Sequence, residues 1–359
     1  MKIISTIGPS CSSSDILQAL KSAGVDVFRI NLSHASLDDI EVYWKIGSDL
    51  GLRIAIDTEG AQIRTGGDAI YPLQLESGSN ISLSGPSSPI SPTSSSSNST
   101  HLFLTPSYVI DLLRPGDLLR LDFNGALIQV KTCQPDLISC VCVSSGTVGL
   151  NKGVDILNRS VDLNDFSSKD IEALRIASDL GIKDVFISFC KSSSAVDFVR
   201  SSITDCHVTS KIESRSSIHS LHSICASSDA ILIDRGDLSR EISILDIPFA
   251  QRGIISMANK LNTPCYVATN VLESLVDGVL PTRAELNDIV STLEMGAAGI
   301  VLAAETAIGA KPLLCVEIVK ELMHKYNLYS ASLLFGDLDR NEITDPLMKL
   351  WLNRSSNYQ

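Results

Sequence analysis

The stretch His207-Val208-Thr209-Ser210-Lys211-Ile212-Glu213, followed by Ala230-Ile231-Leu232-Ile233-Asp234-Arg235-Gly236-Asp237, decides the fold. Each run has the alternating or continuous apolar character of a short strand with polar residues at its end. Between them, Ser217 to Ala226 carries a helical period. Strand, helix and strand at this spacing make a unit that joins parallel strands. Lys211 and Glu213 close the first strand, and Arg235 and Asp237 follow the second. Two readings fit these charges: unrelated surface ion pairs, or a divalent metal beside a charged substrate.

Working outward, the alternation repeats on both sides. Toward the N-terminus it predicts strands at Lys2 to Ile7, Val25 to Leu32 and Arg53 to Thr58. Helices at Ser13 to Gly24 and Leu37 to Leu50 separate them; Ser13 or Ser14 caps the first, and Gly51 ends the second. Toward the C-terminus it predicts helices at Ser168 to Leu180, Ala195 to Ile203, around Ala250 to Leu261, Asp288 to Met295 and Leu313 to Tyr326. Strands at Asp184 to Phe189, Pro264 to Thr269 and Gly299 to Ala303 complete the series. An open doubly wound sheet is compatible with this order, but eight strands and eight helices in alternation favour an α/β, (β/α)8 TIM barrel.

The alternation lapses from Gly66 to Val161, where short strand signals alternate with Pro and Gly turns. The predicted organisation is therefore barrel over 1–66, an inserted β-rich, β-barrel-like lid domain over 67–161, barrel again over 162–327, and a C-terminal tail over 328–359. Within the insertion, 84–100 is almost wholly Ser, Pro, Asn and Gly and reads as a flexible loop. The tail carries Leu333, Leu334, Phe335, Leu347, Leu350 and Trp351 and is expected to pack back on the barrel.

Composition bounds the function. A 359-residue chain with 44% hydrophobic and 19% charged residues is globular with a sizeable core. A net charge of −12 without basic runs argues against nucleic acid and anionic membrane as partners. Gly8-Pro9 interrupts the N-terminus before a signal-peptide core could form, and no apolar run approaches the ~20 residues of a membrane span. A cytoplasmic protein is expected. The nine cysteines show no metal spacing and read as buried small apolar residues; Cys140 and Cys142 would share one strand face.

In a (β/α)8 barrel the chemistry gathers at the C-terminal ends of the strands. Those ends supply Arg29, Asn31, Ser33 and His34; Asp57 and Thr58, with Arg64 nearby; Lys211 and Glu213; Arg235, Gly236 and Asp237; Thr269; and Glu305 with Thr306. Singly, such an Arg is usually solvated and Thr269 is a turn or cap residue. Together they form an active site. Glu213 and Asp237 are hard oxygen ligands suited to Mg²⁺ or Mn²⁺, and Arg29 and Lys211 suit a phosphoryl group. Asn31, Ser33 and Asp57 could hold a monovalent cation. With no P-loop and no Ser/His/Asp elbow, phosphoryl transfer by positioning and charge neutralisation fits the set.

Taken as motifs, Thr6-Ile7-Gly8-Pro9-Ser10, Phe28-Arg29-Ile30-Asn31-Leu32-Ser33-His34, Asp57 through Gly66 and Asn151-Lys152-Gly153-Val154-Asp155 resemble the pyruvate kinase family. So do Lys211-Ile212-Glu213, Arg235-Gly236-Asp237-Leu238, Ala268 through Ser274 and Pro281-Thr282-Arg283-Ala284-Glu285. The resemblance implies a barrel with a mobile lid and transfer of phosphate from phosphoenolpyruvate to ADP, giving pyruvate and ATP. It implies that Lys211, Arg29 and Thr269 are catalytic, with Thr269 near the enolate carbon. Glu213 and Asp237 would hold the divalent ion, and Asn31, Ser33, Asp57 and the Thr58 carbonyl K⁺. Arg29, Lys211, Gly236, Asp237 and Thr269 would bind substrate; Pro9, His34, Arg64 and Lys152 would face the nucleotide.

Departures fall at the nucleotide and potassium end. Glu59 and Gln62 replace the Lys and Glu of the family's Asp-Thr-Lys-Gly-Pro-Glu segment, Asn151 takes one cation from its Lys-Lys-Gly, and Ala303-Ala304 replaces Ser-Gly. The lid's Asp-Asp-Gly becomes Asp122-Phe123-Asn124-Gly125, and the short stretch after residue 327 is expected not to form the family's C-terminal regulatory domain. A lost charge contact costs about 1–3 kcal/mol, so ADP affinity is expected to fall by one to several decades. The competing expectations are a pyruvate-enolate enzyme with another acceptor, whether lyase or phosphotransferase, and a non-catalytic phosphoenolpyruvate-binding homologue. A monomer or homodimer, with weakened dependence on K⁺, completes the set.

Overall fold

The computed structural model describes residues 1–334, apart from 61, 67–71, 86–98, 123–124, 135–136, 158, 160, 162 and 279. It comprises two compact units, Met1–Thr58 with the described residues from Glu172 on, and Glu59–Ile171.

In the first unit, β1 (Lys2–Thr6), α1 (Ser14–Ala23), β2 (Val27–Asn31), α2 (Leu37–Leu50) and β3 (Ile54–Asp57) follow in turn. The ends of α1 are written in the sequence: Ser13 accepts a hydrogen bond from the Ile16 amide, and Gly24, at φ 115°, donates to the Leu20 and Lys21 carbonyls. Ser36 and Asp39 form a reciprocal capping box at the start of α2.

The second unit holds β4 (Arg64–Gly66), β5 (Leu73–Leu75), β6 (Asn80–Ser84), β7 (Ser99–Thr105), α3 (Val109–Leu112), β8 (Leu118–Leu121), β9 (Leu127–Gln134), β10 (Leu137–Ser144), β11 (Gly146–Val148) and β12 (Val154–Ile156). Seven of these strands make one sheet in the order β12-β8-β9-β10-β6-β7-β4, and β11 pairs with β5. Alternate residues such as Leu119 and Leu121, Ile128 and Val130, and Cys140 and Cys142 point to one buried face, the period-two signature of a half-buried sheet. Arg64–Gly66, placed with the barrel by sequence, hydrogen-bonds to β7 instead. Ser84, Ser99 and Thr100, read as loop, are strand residues paired along β6 and β7; positions 86–98 of that stretch lie outside the described residues. Asp117, almost wholly buried, takes two hydrogen bonds from Arg159.

α4 (Ser168–Leu180) carries the chain from the second unit back into the first; its Asp170 carboxylate, still in the second unit, accepts from the Ser167, Glu59 and Gly60 amides. Then come β13 (Asp184–Ile187), α5 (Ser193–Ser202), β14 (His207–Ile212), α6 (Arg215–His219), α7 (Leu221–Ser227) and β15 (Ala230–Asp234). After them lie α8 (Arg235–Glu241), α9 (Ile247–Lys260), β16 (Cys265–Ala268), α10 (Arg283–Glu294), β17 (Gly299–Leu302), α11 (Ala304–Ala307) and α12 (Pro312–Leu334). Eight parallel strands close in the order β1-β17-β16-β15-β14-β13-β3-β2, the (β/α)8 barrel.

Three local expectations change. The helix foreseen at Ser217 to Ala226 is two, broken at Ser220, because Ser214 and Ser217 form a capping box that starts an extra turn. Arg235-Gly236-Asp237 is not loop but the first turn of α8. The helix expected to stop at Tyr326 runs on to Leu334, and 335–359 lie outside the described residues. All nine cysteines are free, eight buried and Cys133 exposed. Among the described residues no helix is long and apolar enough to cross a membrane.

Candidate active site

The site follows from strand alternation. Ile4, Val27, Ala55, Phe186, Ala230, Leu232, Tyr266, Ala268 and Val301 form the core cluster inside the barrel. Side chains two residues apart share a face, so whatever follows these residues at that interval also points inward. Arg29 is two beyond Val27, Asp57 two beyond Ala55, Ser188 two beyond Phe186, and Asp234 two beyond Leu232. Parallel register sets Arg29 beside Ala55, Lys211 beside Leu232, Asn31 beside Asp57, and Asp234 beside Ala268. Apolar residues fill the middle of the barrel; their polar successors gather at its C-terminal end.

Lys211 is the hub. Its Nζ lies 3.2 Å from Glu213 Oε2, 3.6 Å from Asp234 Oδ2 and 3.7 Å from Asp57 Oδ1, and it donates to Ser188 Oγ at 2.9 Å. Burial alone would lower its pKa, but the charges of Asp57, Glu213 and Asp234 hold it above the usual lysine range. Burial pushes the Glu213 carboxyl well above the usual carboxylate range, with Lys211 opposing and Asp234 and Asp237 adding to the rise. Asp237 is likewise raised, by burial and then by Asp234. Asp234 goes the other way: burial opposes ionisation, yet Lys211 and a hydrogen bond from Thr269 bring it below its ordinary value.

Glu213, Asp234 and Asp237 each offer an oxygen within 4.8 Å of the others. Glu213 Oε1 accepts from the Phe189 amide at 2.6 Å, while its buried Oε2 faces the Lys211 ammonium at 3.2 Å. Three carboxylate oxygens this close, one of them on a fully buried glutamate, fit a divalent cation as hard ligands.

Arg29 is 2% exposed; its Nε and Nη2 donate to Thr6 Oγ1, and its Nη1 lies 3.0 Å from Asp57 Oδ2. Asp57 is thereby placed between Arg29 and Lys211, with Ser188 Oγ donating to its Oδ1 at 3.3 Å. Asn31 Oδ1 accepts from the Ser33 amide, and Thr58 Oγ1 from the Ser188 amide.

Arg235 is turned onto the backbone. Its guanidinium donates to the carbonyls of Ala268, Thr269 and Asn270 and to Asp288. This clamp fixes Thr269 at φ 72°, a conformation that costs a β-branched residue about 1–3 kcal/mol. Thr269 Oγ1 donates to Asp234 Oδ1 at 2.7 Å. Gly236 makes room for the pair: a Cβ there would sit 2.8 Å from Thr269 Cγ2. Glu305, 2% exposed, accepts from the Val271, Leu272 and Ala303 amides and so organises the loops after β16 and β17.

The structure thus brings together Arg29, Asp57, Lys211, Glu213, Asp237 and Thr269. The sequence reading missed Asp234 and Ser188, although their period-two spacing from Leu232 and Phe186 was available. Pro9 and His34 are exposed residues of the barrel unit. Arg64 and Lys152 belong to the second unit. There, two departure positions engage Arg64: Gln62 Oε1 accepts from its Nη2 and the Asn151 carbonyl from its Nη1. Lys152 Nζ is 3.8 Å from Asp122, and Glu59 is 3.8 Å from Lys169.

Residues 1–316 match the family model described as pyruvate kinase, barrel domain. Chloroplastic pyruvate kinase isozyme G of Nicotiana tabacum is 31% identical over 89% of this chain and 57% of its own length. Plastidial pyruvate kinase 3 of Arabidopsis thaliana is 32% identical over 89% of this chain and 56% of its own. A pyruvate kinase of Agrobacterium vitis is 32% identical over 90% and 67%. The chain therefore spans a little over half the length of the two plant relatives.

Proposed function

The chain belongs to the pyruvate kinase family, and from that premise we propose that it transfers the phosphoryl group of phosphoenolpyruvate to ADP, giving pyruvate and ATP. The observation that carries this reading is the junction of Lys211 with Asp57, Glu213 and Asp234 at the C-terminal end of the barrel. Glu213 and Asp237 would hold the divalent cation, Mg²⁺ or Mn²⁺. When bound, that cation supplies charge neutralisation at the phosphoryl and enolate oxygens.

The chain's own residues do the rest. Arg29 and Lys211 bring positive charge to the phosphoryl group; Lys211 then faces the enolate oxygen once the phosphorus–oxygen bond has broken. Gly236 and Asp237 lie in the first turn of α8, whose amides would meet a substrate carboxylate. Thr269 lies by the methylene carbon that must gain a proton. Asn31, Ser33, Asp57 and Thr58 would hold K⁺. Pro9, His34, Arg64 and Lys152 would meet the nucleotide.

A coupled assay with phosphoenolpyruvate, ADP and Mg²⁺ tests the reading: no turnover at millimolar substrate, unchanged in Lys211→Met, would sink it. The engagement of Arg64 by Gln62 and Asn151 favours a second reading, the same enolate chemistry with another phosphoryl acceptor. Nucleotide titration with and without phosphoenolpyruvate separates the two, since ADP binding that tightens with phosphoenolpyruvate supports the first. A monomer or homodimer is proposed, to be read by light scattering, and a cytoplasmic location, to be read by imaging a tagged chain.

A further inference from the structure

Resting on the pyruvate-enolate reading above, we propose that Asp234 acts through Thr269 as a positioning residue and proton acceptor for exchange at the methyl carbon of pyruvate. The cation site has Glu213 and Asp237 for ligands, which leaves the work of the third carboxylate to be explained. Its Oδ1 accepts the Thr269 hydroxyl at 2.7 Å, so the hydroxyl hydrogen is committed to Asp234 and the Thr269 oxygen turns its lone pairs elsewhere. Its Oδ2 lies 3.6 Å from Lys211 Nζ, which keeps the carboxylate ionised and ready to accept. One carboxylate thereby joins the residue that would receive a proton to the one that would stabilise the enolate.

Three further features hold the pair in place. Asp234 points inward because it continues the Ala230, Leu232 face of β15. Arg235 clamps the carbonyls around Thr269 and fixes its left-handed backbone. Gly236 lacks the Cβ that would strike Thr269 Cγ2.

The step balances without a nucleotide. The C3–H bond of pyruvate breaks, its electron pair becomes the C2–C3 double bond, and the carbonyl π pair moves to the oxygen beside Lys211. The proton joins Thr269 Oγ1 as the hydroxyl's own hydrogen passes to Asp234 Oδ1. Protonation of the enolate runs the same path backward.

The test is loss of the pyruvate methyl signal in D₂O, followed by proton NMR with Mg²⁺ and inorganic phosphate, beside calorimetric binding of oxalate with Mg²⁺. Asp234→Asn can still accept the Thr269 hydrogen bond but cannot take the proton. It is expected to slow exchange at least ~100-fold and leave oxalate binding within about threefold. Thr269→Val should slow exchange equally, the double variant no further, and Thr269→Ser should return most of the rate. Exchange within about threefold of the unaltered protein in Asp234→Asn would overturn the proposal. So would a parallel loss of oxalate binding, which would make Asp234 a cation ligand. An unaltered protein that binds oxalate without exchanging protons also removes this inference, whereas one that binds no oxalate removes the enolate reading beneath it.

Discussion

At the scale of single residues, Lys211 sets one positive charge among three carboxylates, and its removal separates stability from catalysis. Lys211→Met is expected to destabilise the protein by about 3 kcal/mol at neutral pH, measured by urea unfolding, because buried carboxylates lose their counter-charge. Without Lys211, burial raises the Glu213 carboxyl further and is less opposed at Asp234. The deficit is therefore present at neutral pH and shrinks as the pH falls and protons are taken up. Turnover should fall at least ~1000-fold at every pH. Gly236→Ala makes the opposite separation. Alanine suits the first turn of α8, so the melting temperature should hold, while the new Cβ displaces Thr269 and lowers turnover by about tenfold or more. A variant with full turnover would show that Thr269 need not stay where it is. Residues of this kind were unequally legible. Lys211, Glu213 and Asp237 stand out because charges end apolar runs. Asp234 hid as the last letter of Ala-Ile-Leu-Ile-Asp, and Arg235 read only as one more charge at a strand end because nothing local shows that its guanidinium turns back onto carbonyls.

Among elements, the loops after β16 and β17 depend on one buried side chain. Glu305→Ala would leave the Val271, Leu272 and Ala303 amides without their acceptor. A loss of about 2–4 kcal/mol is expected by chemical denaturation, and a loss below ~0.5 kcal/mol would mean the loops hold themselves. The barrel strands were readable because each is a short apolar run with punctuation, and the caps of α1 and α2 because Ser and Gly stand where helix ends require them. The break between α6 and α7 was not, since it rests on a reciprocal bond between Ser214 and Ser217 in a run of serines. The helical turn at Arg235 was masked by glycine, whose low propensity is overridden by the chain's need to reverse at once after β15.

Over the whole molecule, each unit has its own apolar core, and acid should reach the inserted unit through Asp117. Burial would raise that carboxyl, but hydrogen bonds from Arg159 and the Arg114 amide hold it below its ordinary value. Its contribution is complete above a pH of about 4 and lost as the pH falls toward the depressed value. Calorimetry should show the unit's melting temperature dropping between pH 5 and pH 3 (roughly the carboxylate range), and less so in Asp117→Asn. Equal drops in both proteins would place the acid sensitivity elsewhere. The distribution of the thiols has a practical outcome. Eight of nine are buried, and burial pushes Cys11 and Cys225 up to about 11 and Cys140 and Cys315 to about 12, leaving them poor nucleophiles at neutral pH. Cys133, exposed near the end of β9, gives the native chain one natural attachment point, where a maleimide fluorophore would report on the inserted unit alone.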